Sequence, residues 1–71
     1  MIEEDFYKLI GKRIKSLRKI KHLSQEQLAE KSGLSLDYIG KIEVKINKPG
    51  IKALLKISNA LEVHIKELFD I

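Results

Sequence analysis

Apolar residues return along this chain at the three- and four-residue intervals of helices, and no strand-like alternation occurs anywhere. From Glu3 to Lys21 the stripe is Phe6, Ile10, Ile14 and Leu17, one face of a first helix. Tyr7, Leu9 and Ile20 fall off that stripe, so they are either partly exposed or used against a partner chain. Gly11 sits within the helix at a modest cost in propensity. A helix from about Ile51 to Leu61 spreads Ile51, Leu54, Leu55, Ile57, Ser58 and Leu61 over a wide face and is expected to be the most buried element. A short last helix from about Ile65 to Phe69 is apolar at Ile65, Leu68 and Phe69. The segment before Ile51 carries Asn47, Pro49 and Gly50 and reads as a loop.

Between the first helix and that loop, Leu23 to Val44 reads as two short helices joined by a tight turn. Ser24 stands before an apolar-periodic run with Gln27 three residues on, so hydroxyl and amide can cap each other's backbone N–H groups. Leu28 and Ala29 form the inward face of this second helix, from about Gln25 to Ser32. Gly33 follows, where a residue without Cβ takes positive φ at little cost. Ser35 caps a third helix, from about Leu36 to Val44, with Ile39 and Ile42 facing in. Two helices crossing over so short a connection bring their backbones close, and Ala29 is small enough to permit it.

The pattern of Leu28, Ala29, Gly33, Leu34, Ile39 and Ile42 resembles the helix-turn-helix of the lambda-repressor and Cro type, the XRE family, and restriction-modification controller proteins within it. The likeness extends from about Ile10 to Phe69. It implies an all-α, compact five-helix lambda-repressor-like DNA-binding domain filling residues 1–71 as a single unit.

Composition narrows the field. A chain of 71 residues has a limited core, so close helix packing or dimerisation is expected to assist it. There is no cysteine, and His22 and His64 stand far apart, so neither a disulfide nor a zinc site is expected. No catalytic spacing is evident, no cofactor or small-molecule effector is implied, and both histidines read as surface or capping residues. The chain has no membrane-length apolar run and starts acidic, which points to a cytoplasmic protein.

The formal net charge is +4, and its distribution matters more than its total. Seven basic residues and no acid lie between Lys8 and Lys21, and five lysines against Glu43 alone lie between Lys41 and Lys56. Such segregation fits either a face that gathers phosphates or a set of solvated helix faces. Twelve of the 14 basic residues are lysines, point charges better suited to sequence-tolerant phosphate attraction than to bidentate guanine reading.

The resemblance assigns roles to particular positions. The third helix is the reading element, matched in width to a major groove of about 12 Å. Ser35, Leu36, Asp37, Gly40 and Lys41 lie at its base-reading positions. Leu36 can touch a thymine methyl, Lys41 can donate to guanine, and Asp37 can either accept from cytosine N4 or serve the first turn of its own helix. Gly40 admits close backbone approach or is neutral. Gln25, Lys45, Asn47 and Lys48 are the phosphate candidates, with Lys12 and Arg13 behind them, and Tyr38 either packs on the second helix or presents its hydroxyl to DNA. Arg18 and Glu43 match an ion pair that orients the reading helix. Departures from the family's usual punctuation stand at Lys45, Gly50, Glu62 and His64.

The implied partner is double-stranded DNA, bound as a homodimer whose half-sites lie about 34–36 Å apart. Ile65, Phe69 and Ile71, with Leu9 or Tyr7, are the candidate dimer contacts, unless they only close the core. The competing function is an antitoxin-like protein-interaction module on the same fold.

Overall fold

The acids Glu3, Glu4 and Asp5 suit the positive end of a helix dipole, and helix α1 starts at them, running Glu3–Ile20 in a computed structural model that describes residues 2–44 and 47–71. It ends where His22 takes a left-handed conformation, φ 59°. There the His22 N–H donates to the Lys19 carbonyl and the Leu23 N–H to that of Arg18, both at 3.0 Å, tying off the last open carbonyls.

Helix α2, Gln25–Ser32, carries the expected capping box: Ser24 Oγ accepts from the Gln27 N–H at 3.0 Å, and Gln27 Oε1 accepts from the Ser24 N–H at 2.8 Å. Gly33 closes it with φ 75°, donating to the Ala29 carbonyl at 2.9 Å. Ser35 Oγ then accepts from the Tyr38 N–H at 3.0 Å and starts α3, Leu36–Glu43, one residue shorter than its periodicity predicts because Val44 is already its cap.

Helix α4, Ile51–Leu61, follows a loop whose Pro49 is buried. The fifth element, Ile65–Phe69, is a 3₁₀ helix, so the count is four α-helices and one tighter turn instead of five α-helices. His64 caps it, its Nδ1 accepting from the Lys66 N–H at 3.3 Å, and Leu68 is wholly buried. No strand occurs among the described residues.

Helix α2 packs on α3 and on α4, α1 packs on α3, and the 3₁₀ helix bridges α1 and α4. Ile10, Ile14, Leu28, Ile39, Ile42, Ile57, Leu61 and Leu68 form the centre of the core that these elements enclose. Phe6 and Tyr38 pack against it from the side. Of the six residues on the wide apolar face expected of α4, four are covered: Leu54, Ile57, Ser58 and Leu61 are buried, whereas Ile51 is 61% and Leu55 44% exposed. The i, i+3, i+4 rule groups residues by direction, but only neighbours decide which part of a face is covered.

Gly11 marks the tightest crossing. A Cβ built there would collide with the Ile42 carbonyl oxygen and lie 3.2 Å from that of Glu43, so α1 and the end of α3 touch backbone to backbone. The glycine that costs α1 a little propensity is what lets α3 lie against it.

Candidate nucleic-acid interface

The outward residues of α3 begin at its N-terminal end. Ser35, Leu36, Asp37 and Lys41 are exposed and Gly40 half-buried, while Ile39 and Ile42 anchor the opposite side. Leu36, at 46% exposure, is an apolar group held out into solvent. Lys41 Nζ lies 3.0 Å from Asp37 Oδ2, one turn apart, so the two charged reading candidates pair with each other. An exposed pair of this kind is worth only about 0.3–0.5 kcal/mol and parts readily for a better partner.

Behind this surface lies a buried polar network. Arg18 on α1 donates through Nε to Glu43 Oε2 at 2.7 Å and through Nη2 to Oε1 at 3.0 Å, and through Nη1 to the Leu23 carbonyl at 2.8 Å. The Glu43 side chain is 1% exposed and that of Arg18 9%. Gln25, at the start of α2, donates its Nε2 to the same Glu43 Oε1 at 3.0 Å. One carboxylate on α3 thus holds one residue from each of the two preceding helices. Such a fork is geometrically demanding, and it fixes how far α3 projects from the rest of the fold.

The other sequence candidates divide. Gln25 opens α2, where Ser24 Oγ takes the Gln27 N–H and the Gln25 and Glu26 N–H groups before it have no intrahelical acceptor. Asn47 is half-buried and its N–H donates to the Lys41 carbonyl at 3.2 Å, finishing α3. Lys48 is exposed, its Nζ 3.0 Å from Glu3 Oε2 and 5.8 Å from the centre of the Tyr7 ring. The hydrogen bond and charge of Glu3 raise the Lys48 pKa above its ordinary value, so it is a cation throughout the neutral range. Tyr38 is half-buried and packs against the core. Lys45, expected both as a phosphate contact and as the departure at the end of α3, lies outside the described residues.

Arg13 is placed differently from expectation. Its Nε donates to the Glu67 carbonyl at 2.7 Å, and Nη2 lies 3.5 Å from Glu67 Oε1 and 3.6 Å from Asp70 Oδ2. It therefore ties α1 to the 3₁₀ helix instead of joining the reading surface. Sequence spacing missed this because Glu67 and Asp70 meet Arg13 only once the chain has folded back.

Comparison with known proteins agrees with this geometry. The HTH_3 helix-turn-helix family model matches residues 14–68, most of the chain. The chain belongs to this helix-turn-helix family. It is 44% identical over 63 residues to the transcriptional regulator SlrR of Bacillus subtilis, covering 87% of this chain and 41% of SlrR. It is 38% identical over 64 residues to control protein C.SmaI of Serratia marcescens, covering 90% of this chain and 76% of that one. The crystal structure of the restriction-modification controller protein C.AhdI from Aeromonas hydrophila superposes with a TM-score of 0.87 at 38% identity, covering 89% of this chain and 96% of that one. The chain thus spans less than half the length of SlrR and nearly all of C.AhdI.

Away from α3, this helix-turn-helix domain leaves apolar groups uncovered at Ile51, Leu55, Phe69 and Ile71. Phe69 is 40% exposed and stacks on Phe6, ring centres 6.3 Å apart, and Ile65 is half-buried against the core. Tyr7 and Leu9 are half-buried. No helix among the described residues is long and apolar enough to cross a membrane.

Proposed function

We propose that this chain is a transcriptional regulator that inserts α3 into the major groove of duplex DNA and binds a palindromic operator as a homodimer. The carrying observation is the Arg18–Glu43–Gln25 network. It locks the buried side of α3 to both preceding helices and holds Ser35, Leu36, Asp37, Gly40 and Lys41 together on the open side. In this reading Leu36 meets a thymine methyl and Lys41 leaves Asp37 for guanine O6 or N7. The first turn of α2 at Gln25 takes one phosphate, and Asn47 and Lys48, with Lys45, take those on the other flank. Arg13 is not part of this grip.

A homodimer is the arrangement that the size of the molecule supports. The molecule is 31 Å along its longest axis, so one copy covers one half-site of a pair about 34–36 Å apart. Ile65, Phe69 and Ile71 remain the proposed contact, enlarged by Ile51 and Leu55. In this reading the protein works in the cytoplasm, where its operator DNA lies. Selection of bound duplexes from a random pool tests this: a two-fold symmetric consensus is expected, and recovery of no enriched sequence overturns the reading.

A further inference from the structure

Helix α1 carries a feature that neither the reading helix nor the core uses. Lys8, Lys12, Lys15 and Lys19 follow one another at intervals of four, three and four residues. At about 100° per residue they fall within an arc of about 60°. All four are exposed, and none enters an ion pair among the described residues. Ile10, Ile14 and Leu17 lie on the opposite side of the helix, in the core. The result is an uninterrupted ridge of four cations over about 16 Å of helix.

The ridge borders the end of the reading helix. Gly11, which touches the Ile42 and Glu43 carbonyls, lies next in chain to Lys12 and less than a quarter-turn round the helix from the ridge. A cleft of about 320 Å³ between α1 and the end of α3 is lined by Lys8, Lys12, Glu43 and Val44. A neighbouring one of about 450 Å³ is lined by Asp5, Lys8, Leu9 and Lys12, and the α1 acids near the ridge, Glu4 and Asp5, stand at its N-terminal limit. A duplex seated on α3 carries one negative charge per about 1.7 Å of its axis and continues past the base pairs α3 reads. Its phosphates are the complementary surface a linear row of unpaired lysines fits.

We propose that the α1 lysine ridge is a second phosphate track that holds duplex DNA flanking the half-site. The inference rests on the DNA-binding reading above and extends its footprint. Lysines act here as point charges, so the track is indifferent to sequence. It adds affinity and salt dependence without adding specificity.

The test compares two duplexes built on the pool-selected sequence, one trimmed at the palindrome's ends and one extended by about ten base pairs of fixed sequence each side, roughly one helical turn. Affinity is measured from about 50 to 200 mM salt for the full chain, for K8Q/K12Q/K15Q/K19Q, and for K31Q/K52Q/K56Q/K66Q. The last variant removes the same charge from exposed positions on other elements. Glutamine keeps helix propensity, and circular dichroism confirms that each variant is folded. With two lysines of each ridge on phosphates, the log–log slope on the extended duplex falls by about 1.8 per protomer and affinity roughly tenfold or more in the ridge variant. The trimmed duplex and the control variant show much smaller losses. A ridge variant with the wild-type slope on extended DNA, or a control variant that loses as much, overturns the track and leaves α3 reading intact; the ridge is then a solvated face or a protein surface. A wild-type chain that binds no selected duplex overturns both.

Discussion

Arg18 and Glu43, 25 positions apart, meet in a two-point fork with donor–acceptor distances of 2.7 and 3.0 Å, and Gln25 shares one of the carboxylate oxygens. Removing one partner strands the other. Glu43→Ala leaves a buried guanidinium without its counter-charge and is expected to cost about 3–5 kcal/mol, a large part of the stability of a domain this small. Replacing both by apolar residues, Arg18→Met with Glu43→Leu, restores most of that stability because no charge is left buried. It does not restore DNA binding, since Gln25 and α3 lose their shared anchor. Thermal unfolding and duplex binding measured on all three proteins check this split.

Gly11→Ala puts a methyl group against the Ile42 carbonyl. In an exposed helix the change would gain about 1 kcal/mol of propensity. Here the methyl meets backbone, which cannot turn aside, and α3 must move outward. A net loss of about 1–3 kcal/mol is expected in urea unfolding, with weaker DNA binding at temperatures where the variant is fully folded. Gly40→Ala is the contrast. Its methyl would lie 3.7 Å from Gln25 Oε1, an ordinary contact, and is expected to stabilise by about 0.5–1 kcal/mol. If duplex binding falls despite that gain, the DNA backbone or a base edge approaches Gly40 closely.

Glu62 ends α4 at φ 58° and ψ 43°, with the Val63 N–H donating to the Ser58 carbonyl at 3.0 Å. This is the hydrogen bonding of a glycine-terminated helix made with a residue that has a Cβ. Holding an L-residue there costs about 1–2 kcal/mol, offset in glycine by its freer unfolded chain. Glu62→Gly is therefore expected to stabilise by about 0.5–1 kcal/mol, read as a rise in urea midpoint at unchanged slope. His22, at φ 59°, invites the same substitution.

The helix bounds, the caps at Ser24 and Ser35 and the turn at Gly33 were legible because each is local: a hydroxyl, an amide or a missing Cβ acts within four residues of itself. Glu62 was legible as a departure, but not that the helix would end regularly with a strained residue. Positions whose meaning depends on a distant segment were harder. The exposure of Ile51 and Leu55 depends on which side of α4 is covered by α1, α2 and the 3₁₀ helix. Arg13 looked like a phosphate ligand from its place in a basic run, and Glu67 and Asp70, more than fifty residues on, turn it elsewhere. Gly11 read as a mild defect until the α3 carbonyls beside it explained it. The Arg18–Glu43 pair was reached through family likeness, since no spacing rule joins positions 25 apart.

Lys48 is claimed by two partners. Its ammonium pairs with Glu3 at 3.0 Å beside the Tyr7 ring, and the proposed grip requires it on a phosphate. Both ends of the pair are exposed, so the contact is easily broken, but DNA must compete with Glu3 for the same cation. Glu3→Gln removes the competitor and is expected to tighten duplex binding a few-fold at most, with no loss of fold. Lys48→Ala should reduce the log–log salt slope by about 0.9 and erase the benefit of Glu3→Gln when the two are combined. The pH dependence has a definite sign. Glu3 raises the Lys48 pKa above its unfolded value, so the pair's contribution is full below about pH 10.5 and is lost as pH rises through the higher folded value. Between pH 6 and 9 the effect of Glu3→Gln is accordingly expected to be flat. A benefit that survives in Lys48→Ala would mean that Glu3 repels phosphates directly.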